Sequence, residues 1–342
     1  MKKRIFPLLL VLSFLLCGCL APSYEEAVTA PTDADGGLAV HFLDVGQADC
    51  ILIQQGDHAM LIDAGNNSDD ELITTYLQNA GVLHLDYAVG THPHEDHIGA
   101  LDTVLKNFPV QNLLMPRVQA STGTFEDVLD AAIEKGLSIT APKAGDTFPL
   151  GNAVLTAVNN YTGDDLNDHS IMLRLTYGDV SFLFTGDAEV PAEQAALATG
   201  LPLRSDVLKV GHHGSSTSTS DAFLSAVSPT YAVISCGADN DYGHPHDETM
   251  EKLAEYEIYR TDLQGTIVAR SDGSKITWST VSNADASVSG DFTYVLNISS
   301  ERFHRPTCGG VETMSPKNKS YTNETKQQLL DRGYSPCGNC KP

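Results

Sequence analysis

The stretch "THPHEDHIGA", residues 91–100, is rich in histidine and acidic residues. Residues two apart in an extended turn point the same way, so His92 and His94 can bind one metal ion. Asp96 and His97 follow at the start of the next helix, from which they can turn to a second ion nearby. Imidazole mixed with carboxylate favours zinc, with manganese or iron as alternatives. The competing interpretation is a solvated loop that happens to be rich in histidine.

The segments around this stretch are those that a metal site at a strand end requires. "LDYAVG" before it has the composition of a buried strand, and "HIGALDTVLKNF" after it is typical of an amphipathic helix. Short strands and helices alternate from Leu38 onward and end in the predicted hairpin "GTIVARSDGSKITWST". The pattern predicts a mixed α/β domain over residues 37–281, a linker over 282–291 and a small domain over 292–342.

The composition sets limits on the substrate. With 342 residues the chain can bury a large core, and its hydrophobic content of 42% is ordinary for a soluble protein. The net charge of −23 repels nucleic acid at long range. An anionic substrate therefore needs a local positive centre, which a metal ion would supply.

The N-terminus has the pattern of an export signal. A basic start precedes the apolar run "IFPLLLVLSFLL", so residues 1–18 are predicted to be a signal peptide, and no transmembrane span is expected in the mature chain. The signal ends in "LCGC", which resembles a bacterial lipobox with Cys19 as the lipidated residue; a plain secretory signal is the alternative. Residues 19–36 have linker composition. The protein is expected outside the cytoplasm, either anchored to the membrane as a lipoprotein or secreted.

The last three of the seven cysteines lie close to the C-terminus. Cys337 and Cys340 form a Cys-x-x-Cys pair, and His304 and Cys308 form a His-x₃-Cys pair. Together they make a Cys₃His set, which suits one structural zinc ion. An exported protein could oxidise its cysteines, but the odd number and the close spacing favour metal.

Six motifs follow one another along the chain: "HFLDVGQADCILIQ", "MLIDAG", "THPHEDHIGA", "FLFTGDAE", "LKVGHHGSSTS" and "DYGHPH". Their types and order resemble those of the metallo-β-lactamase-like domain of ComEC/Rec2 DNA-uptake proteins. The chain resembles this family over residues 38–280. The resemblance implies an α/β fold, the four-layer αββα sandwich, with a dinuclear metal site at one edge of its two sheets. The small C-terminal α+β domain is expected in addition.

The resemblance also implies which residues bind metal. The implied ligands of the large site are His92, His94, Asp96, His97, His169, Asp187, His212 and His213. Asp187 matches the bridging carboxylate. Of the two adjacent histidines, His212 is expected to be the ligand because it directly follows the strand "VLKVG", although the sequence cannot separate it from His213. His169 has a turn at the surface as its alternative.

Further residues are implied to act beside the metals. Asp63 matches an acid that orients a ligand histidine rather than binding metal. His244 and His246 lie in a segment that borders the active site in the resembling family, where one of them could protonate a leaving group or contact phosphate. A structural role at a helix start is the alternative for His246. The implied catalytic set is Asp96, Asp187, His244 and His246.

The tail resembles the zinc domain of the Ada-type DNA methyl-phosphotriester repair proteins over residues 292–342. His304 stands where that family has its methyl-accepting cysteine, so alkyl acceptance should be absent. The resemblance leaves a small module held by one structural zinc ion. Its basic residues could contact DNA or could simply form a solvated face. These residues are Arg302, Arg305, Lys317, Lys319 and Lys326.

The motifs together predict a metal-dependent hydrolase that cleaves phosphodiester bonds, with DNA as its partner. The cofactors expected are two divalent ions in the large site, zinc or manganese, and one zinc in the tail. Two other functions stay open. One is a hydrolase of another extracellular ester, such as a phosphorylcholine phosphodiester or a lactone. The other is a surface DNA receptor without catalysis.

Overall fold

The computed structural model describes residues 36–281 and 294–341, apart from 306–307, 313, 315–317, 323–325 and 339. The predicted signal peptide, nearly all of the predicted N-terminal linker and the predicted 282–291 linker lie outside these residues. No helix within the described part of the chain is both long and apolar enough to cross a membrane.

The first sheet has eight strands in the order β15-β14-β1-β2-β3-β4-β5-β6. Its strands are β1 (Leu38–Phe42), β2 (Ile51–Gln55), β3 (His58–Ile62), β4 (Leu85–Val89), β5 (Val110–Leu114), β6 (Ile139–Thr140), β14 (Thr266–Ser271) and β15 (Ile276–Val281). Neighbours from β15 to β3 pair antiparallel, and those from β3 to β6 pair parallel. The predicted closing hairpin is β14 and β15.

The second sheet has seven strands in the order β13-β12-β11-β10-β9-β8-β7. Its strands are β7 (Thr147–Leu150), β8 (Ala153–Ala157), β9 (Leu173–Tyr177), β10 (Val180–Phe184), β11 (Val207–Lys209), β12 (Tyr231–Ile234) and β13 (Glu257–Arg260). The strands from β10 to β13 are parallel, so their carboxyl ends meet at one edge.

Helices cover the outer faces of both sheets. Those of the large domain are α1 (Asp70–Asn79), α2 (Glu95–Ile98), α3 (Leu101–Asn107), α4 (Gly123–Glu134), α5 (Val190–Ala198), α6 (Asp221–Val227), α7 (Asp247–Leu253) and α8 (Thr261–Gln264). Two short 3₁₀ helices span Asn67–Asp69 and Gly211–Gly214.

Side-chain alternation along the strands explains the four layers. Leu38, Val40 and Phe42 of β1 point into an apolar core shared by the two sheets, while His41 between them faces the outer side and contacts Tyr76 of α1. Each sheet also packs against its own helices through one further apolar core. The four-layer αββα sandwich expected from the sequence is confirmed.

A separate four-stranded sheet forms the C-terminal part, in the order β18-β16-β17-β19. Its elements are β16 (Tyr294–Asn297), β17 (Arg302–His304), α9 (Gly309–Glu312), β18 (Lys319–Thr322), α10 (Lys326–Asp331) and β19 (Ser335–Pro336). Its described apolar residues form two small clusters of their own, one of them around Phe303. A small α+β unit follows the sandwich, as the sequence predicted.

Candidate metal centre

The site residues follow the carboxyl ends of strands from both sheets. Asp63 follows β3 and the "HPHEDH" segment follows β4, whereas Asp187 follows β10 and His213 follows β11. Because parallel strands end at a common edge, these loops meet although they are far apart in the chain. The edge of the sandwich therefore brings two of these loops from each sheet face to face.

The first pair of histidines converges as predicted. His92 is buried, and its Nε2 lies 3.1 Å from Nδ1 of His94. His94 has the extended backbone expected between two same-sided residues, with φ −77° and ψ 150°. Oδ2 of Asp187 lies 3.9 Å from Nε2 of His92. These nitrogens form one half of the centre.

The second half consists of Asp96, His97, Asp187 and His213, whose ligand atoms all lie within 4.8 Å of one another. Oδ1 of Asp187 is 3.2 Å from Nε2 of His97 and 3.6 Å from Nε2 of His213. These three atoms are buried without a hydrogen-bond partner. An unpartnered buried polar atom is costly, so three that point to one place fit a metal ion well.

Asp187 faces both halves. Its Oδ1 is directed to His97 and His213, while its Oδ2 lies 3.9 Å from His92 and 3.6 Å from Nε2 of His212. Burial acts to raise the pKa of this carboxyl, but His97 and His213 outweigh it and hold the pKa well below its usual range. The carboxylate is thus ionised and placed as a bridging ligand would be.

Asp63 orients His97, as the resemblance implied. Its Oδ2 accepts a hydrogen bond from Nδ1 of His97 at 2.8 Å, which directs Nε2 toward Asp187. The backbone N–H and the hydroxyl of Thr91 donate to the same carboxylate, each at 2.7 Å. Asp63 has φ +59°, an uncommon backbone conformation of the kind often found at functional sites.

His213, rather than His212, completes the buried group. Nδ1–H of His213 donates to the carbonyl oxygen of Ser235 at 3.0 Å, so its Nε2 points to Asp96 and Asp187. His212 and His213 both have positive φ, 49° and 53°, and this double left-handed turn directs their rings to different sides. His212, which was expected to be the ligand because it directly follows the strand, lies outside this buried group.

His212 still borders the centre. Its Nδ1 lies 3.1 Å from Oε1 of Glu189, and its Nε2 faces Oδ2 of Asp187. It can therefore contribute from the side opposite His213, on the same half as His92 and His94.

The structure places His169 outside the cluster, contrary to the expectation that it binds metal. Its Nε2–H donates to the carbonyl oxygen of Gly163 at 2.8 Å, and its ring lies edge-on to Tyr161. The next residue, Ser170, faces the centre instead. Ser170 Oγ lies 3.4 Å from Nδ1 of His92 and accepts the backbone N–H of Asp187 at 3.0 Å.

The two histidines of "GHPH" are in different environments. Gln47 has its Oε1 fixed by the N–H of Gly237 at 3.0 Å, so its amide N–H donates to Nδ1 of His244 at 3.2 Å. Burial and the nearby His212 and His213 lower the pKa of His244 to about 4. Neutral His244 therefore carries its proton on Nε2.

His246 uses both ring nitrogens within the protein. Nδ1 accepts the backbone N–H of Ser216 at 3.0 Å, and Nε2–H donates to the carbonyl oxygen of Tyr242 at 3.2 Å. It also immediately precedes α7. This geometry favours the structural role that was the alternative to catalysis.

A buried ion pair beneath the centre was not foreseen. Nζ of Lys209 lies 2.8 Å from Oδ2 of Asp49, and both side chains are almost completely buried. Oδ1 of Asp49 lies 3.4 Å from Nδ1 of His213. Asp49, Asp63 and His97 also gather closely, but Lys209 and Thr91 engage the two acids, which act as orienting groups. The signal available in the sequence was a charged residue inside each of two apolar segments, "QADCILI" and "VLKVG".

The C-terminal ligand set also comes together. The ligand atoms of His304, Cys308, Cys337 and Cys340 all lie within 4.8 Å of one another. His304 Nδ1 is 3.5 Å from Sγ of Cys308, and the backbone N–H of Arg305 donates to Sγ of Cys340 at 3.4 Å. The donor set and its closed, mostly buried arrangement fit a structural zinc ion.

The fold and the His/Asp cluster define a class: the chain belongs to the Metallo-beta-lactamase superfamily, whose profile matches residues 43–238. Within it, the chain is ComEC/Rec2-like. It is 32% identical over 255 residues to ComE operon protein 3 of Bacillus subtilis (strain 168), covering 68% of this chain and 33% of that protein. It is 35% identical over 235 residues to Recombination protein 2 of Haemophilus influenzae, covering 67% of this chain and 28% of that protein.

The chain thus spans about a third of the length of these curated relatives. Among solved structures, the metallo-beta-lactamase fold protein YhfI from Bacillus subtilis superposes with a TM-score of 0.46 at 14% identity, covering 68% of this chain and 100% of that one.

Proposed function

We propose that this protein is a dinuclear metal-dependent phosphodiesterase that cleaves DNA outside the cytoplasm. The observation that supports this most is the position of Asp187, whose two oxygens face separate groups of histidines. A carboxylate between two such groups is the arrangement that a two-metal hydrolase needs.

The donors suit zinc, with manganese as the alternative. When bound, a pair of divalent ions activates water as a nucleophile and stabilises the charge that develops on a phosphodiester under attack. We assign His92, His94 and His212 to one ion, and Asp96, His97 and His213 to the other. Asp187 lies between them.

The remaining residues orient the metal ligands or donate a hydrogen bond to the substrate. Asp63 and the carbonyl oxygen of Ser235 fix the tautomers of His97 and His213, so that both present a lone pair to the centre. His244, with its proton on Nε2, is placed to donate a hydrogen bond to a phosphate oxygen or to the leaving group. The neutral ring is suited to hydrogen bonding, not to strong acid catalysis.

DNA as the substrate class rests on the relatives. Proteins named for recombination and competence match this chain over about two thirds of its length, including Competence protein ComA of Neisseria gonorrhoeae. We further propose that the chain is exported and held at the membrane by lipid on Cys19, or else secreted.

The tail is proposed to bind one structural zinc ion through His304 and the three cysteines near it. Its exposed arginines, Arg302 and Arg305, together with nearby lysines, would help to hold DNA. A chain with net charge −23 gains from any local basic surface when its substrate is a polyanion.

A panel of substrates tests the function. Metal-loaded protein would be assayed on oligonucleotides, on a choline phosphodiester and on a lactone, with and without chelator. The proposal expects chelator-sensitive cleavage of oligonucleotides at the highest kcat/KM. A higher kcat/KM on the choline ester or on the lactone would show that this ester, and not DNA, is the substrate class. DNA binding without turnover of any of the three would establish the receptor function instead.

A further inference from the structure

A cavity of about 490 Å³ lies beside the metal centre. Its walls come from the loops that follow β5, β6 and β8, and from the segment that carries His169 and Ser170. This volume is within the ~300–1,000 Å³ that small-molecule sites occupy. None of the assigned metal ligands lines this cavity, and neither does Asp49 or Lys209 of the ion pair.

Ser170 belongs both to the cavity and to the metal centre. It lines the cavity, while its Oγ lies 3.4 Å from Nδ1 of His92 and accepts the backbone N–H of Asp187 at 3.0 Å. The cavity and the metal centre are therefore neighbours, separated by the fully buried side chain of Ser170.

The cavity carries two positive charges without carboxylate partners. Arg117 and Lys143 both line it, and neither makes an ion pair with any residue that the structure describes. Asp146, three residues along the chain, accepts the backbone N–H of Lys143 at 2.8 Å rather than its ammonium group. Two unpaired cations in one cavity stand out in a chain that has only 21 lysines and arginines against 44 acids.

An aromatic wall completes the cavity. The rings of Tyr161 and His169 meet edge to face, with centroids 5.2 Å apart. Asn159 braces the loop between them, since its Oδ1 accepts the N–H of Tyr161 and its Nδ2 donates to the carbonyl oxygens of Asp168 and Ser170, all at 2.8 Å. The loop is therefore held in place before any ligand binds.

We propose that this cavity binds the nucleotide next to the cleaved phosphodiester of a single DNA strand, with its base stacked on Tyr161 and its phosphates held by Arg117 and Lys143. The inference rests on the proposed function, because it assigns the flank of the same site. Cations that follow a backbone, together with an aromatic ring for a base, are how proteins bind single strands without reading sequence. A base inside a duplex is already stacked on its neighbours and cannot reach the ring. His169 thereby becomes a wall of the substrate cavity.

Binding and cleavage of defined strands test the inference separately. The full chain would be titrated with fluorescent oligothymidylate, with a strand of equal length made of abasic residues, and with the oligothymidylate paired to its complement. The variants are Tyr161→Ala, Tyr161→Phe and Arg117→Ala, with Lys275→Ala in the β14–β15 turn as a matched loss of an exposed charge. Thermal unfolding of each variant shows whether it folds.

The wild type should bind oligothymidylate more tightly than either other ligand. Tyr161→Ala should weaken that binding about tenfold and remove the preference over the abasic strand, since stacking is lost, while Tyr161→Phe keeps both. Arg117→Ala should reduce the slope of log affinity against log salt by about 0.7, the value for one phosphate contact on a single strand, and Lys275→Ala should not change it.

Failure of this inference can be told from failure of the proposed function. Cleavage of DNA with equal affinity of wild type and Tyr161→Ala for oligothymidylate would overturn the cavity assignment and keep the nuclease. Binding that depends on Tyr161 but is never followed by cleavage would keep the cavity and overturn the nuclease. Equal affinity of the wild type for the abasic strand would also overturn the cavity assignment.

Discussion

At the scale of single residues, the centre depends on which ring nitrogen of each histidine carries the proton. His97 donates through Nδ1 to Asp63, and His213 donates through Nδ1 to a carbonyl oxygen, so both direct Nε2 to Asp187. Beneath them, Asp49 and Lys209 form an ion pair that contacts His213. A buried ion pair contributes little net stability when intact, but removal of one partner leaves a charge that the interior cannot solvate.

Asp49→Asn should therefore lower the free energy of unfolding by about 3–5 kcal/mol, because it leaves the ammonium of Lys209 buried without its counter-charge. Metal affinity should fall by roughly 10–100-fold, since the group behind His213 is altered. Urea unfolding and a metal titration would measure the two effects. Asp49→Asn combined with Lys209→Met should lose less stability than the sum of the single variants; additive losses would show that the two charges do not interact.

The two histidines of "GHPH" should behave differently when removed. His244→Ala should lower kcat on an oligonucleotide by about 10²–10³-fold with little change in stability, because it removes a preorganised hydrogen-bond donor. His246→Ala should mainly lower the free energy of unfolding, by about 1 kcal/mol, because both its ring nitrogens bond to the chain. Steady-state kinetics and urea unfolding of both variants would show which histidine acts in catalysis and which supports the fold. The reverse pattern would move the catalytic role to His246.

At the scale of secondary structure, the loops at strand ends position the ligand residues. The "HPHEDH" segment is fixed by main-chain hydrogen bonds to the loop after β3, where the N–H of Ala64 donates to the carbonyl oxygen of His97 at 2.6 Å and the N–H of Gly99 donates to that of Gly65 at 2.9 Å. A side chain at Gly99 would overlap the backbone of Asn66 and Asn67. This close approach keeps α2, and with it Asp96 and His97, against the first sheet.

Gly99→Ala should consequently destabilise the fold by about 1–3 kcal/mol and weaken metal binding, because the added methyl group pushes α2 away from the Asn66 backbone. Gly123→Ala is the matched control. Its methyl group would meet no atom within 4 Å, at the first residue of α4, and should leave stability equal or raise it by about 0.4–1 kcal/mol. Calorimetry and metal titration would measure both. A Gly99→Ala protein with wild-type metal affinity would contradict this account of the loop.

Local sequence patterns were sufficient to predict the helices and strands and half of the metal site. Composition and periodicity predicted the strand before "THPHEDHIGA" and the helical segment after it, and the spacing of His92 and His94 predicted their convergence, because these features depend only on neighbours in the chain. The double left-handed turn that selects His213, and the pairing of Asp49 with Lys209, depend on contacts between distant segments. The resemblance implied His169 as a ligand, but the turn that buries Ser170 directs the preceding side chain away from the centre.

At the scale of the whole molecule, two separately cored units share one acidic chain. The sandwich has its own three cores, whereas the tail has two small clusters around its own sheet. Such a small unit would gain most of its stability from a bound metal, since few apolar residues are available to it. The fold of the sandwich could be predicted because six motifs span it, and the tail ligands because their spacing is local.

Cys337→Ser should remove one zinc ion per chain and loosen the tail, while hydrolysis of a small phosphodiester by the sandwich stays close to the wild-type rate. Metal analysis by mass spectrometry, together with kinetics on both a small ester and an oligonucleotide, would measure this. A loss confined to the oligonucleotide would show that the tail docks DNA. Loss of small-ester hydrolysis as well would contradict the independence of the two units.

The proposed phosphodiesterase requires that Asp187 hold two metal ions in one centre, and a metal titration of activity measures this requirement. Protein stripped by chelator would be titrated with Zn²⁺ or Mn²⁺ while oligonucleotide cleavage is followed, for the wild type and for Asp187→Asn. Activity of the wild type should rise until two ions occupy the sandwich. Asp187→Asn should stay folded but lose most cleavage, because a neutral amide compensates two cations poorly. Near-wild-type cleavage by Asp187→Asn with two ions bound would contradict the role of Asp187 between the ions. Full wild-type activity with a single ion would contradict the need for two.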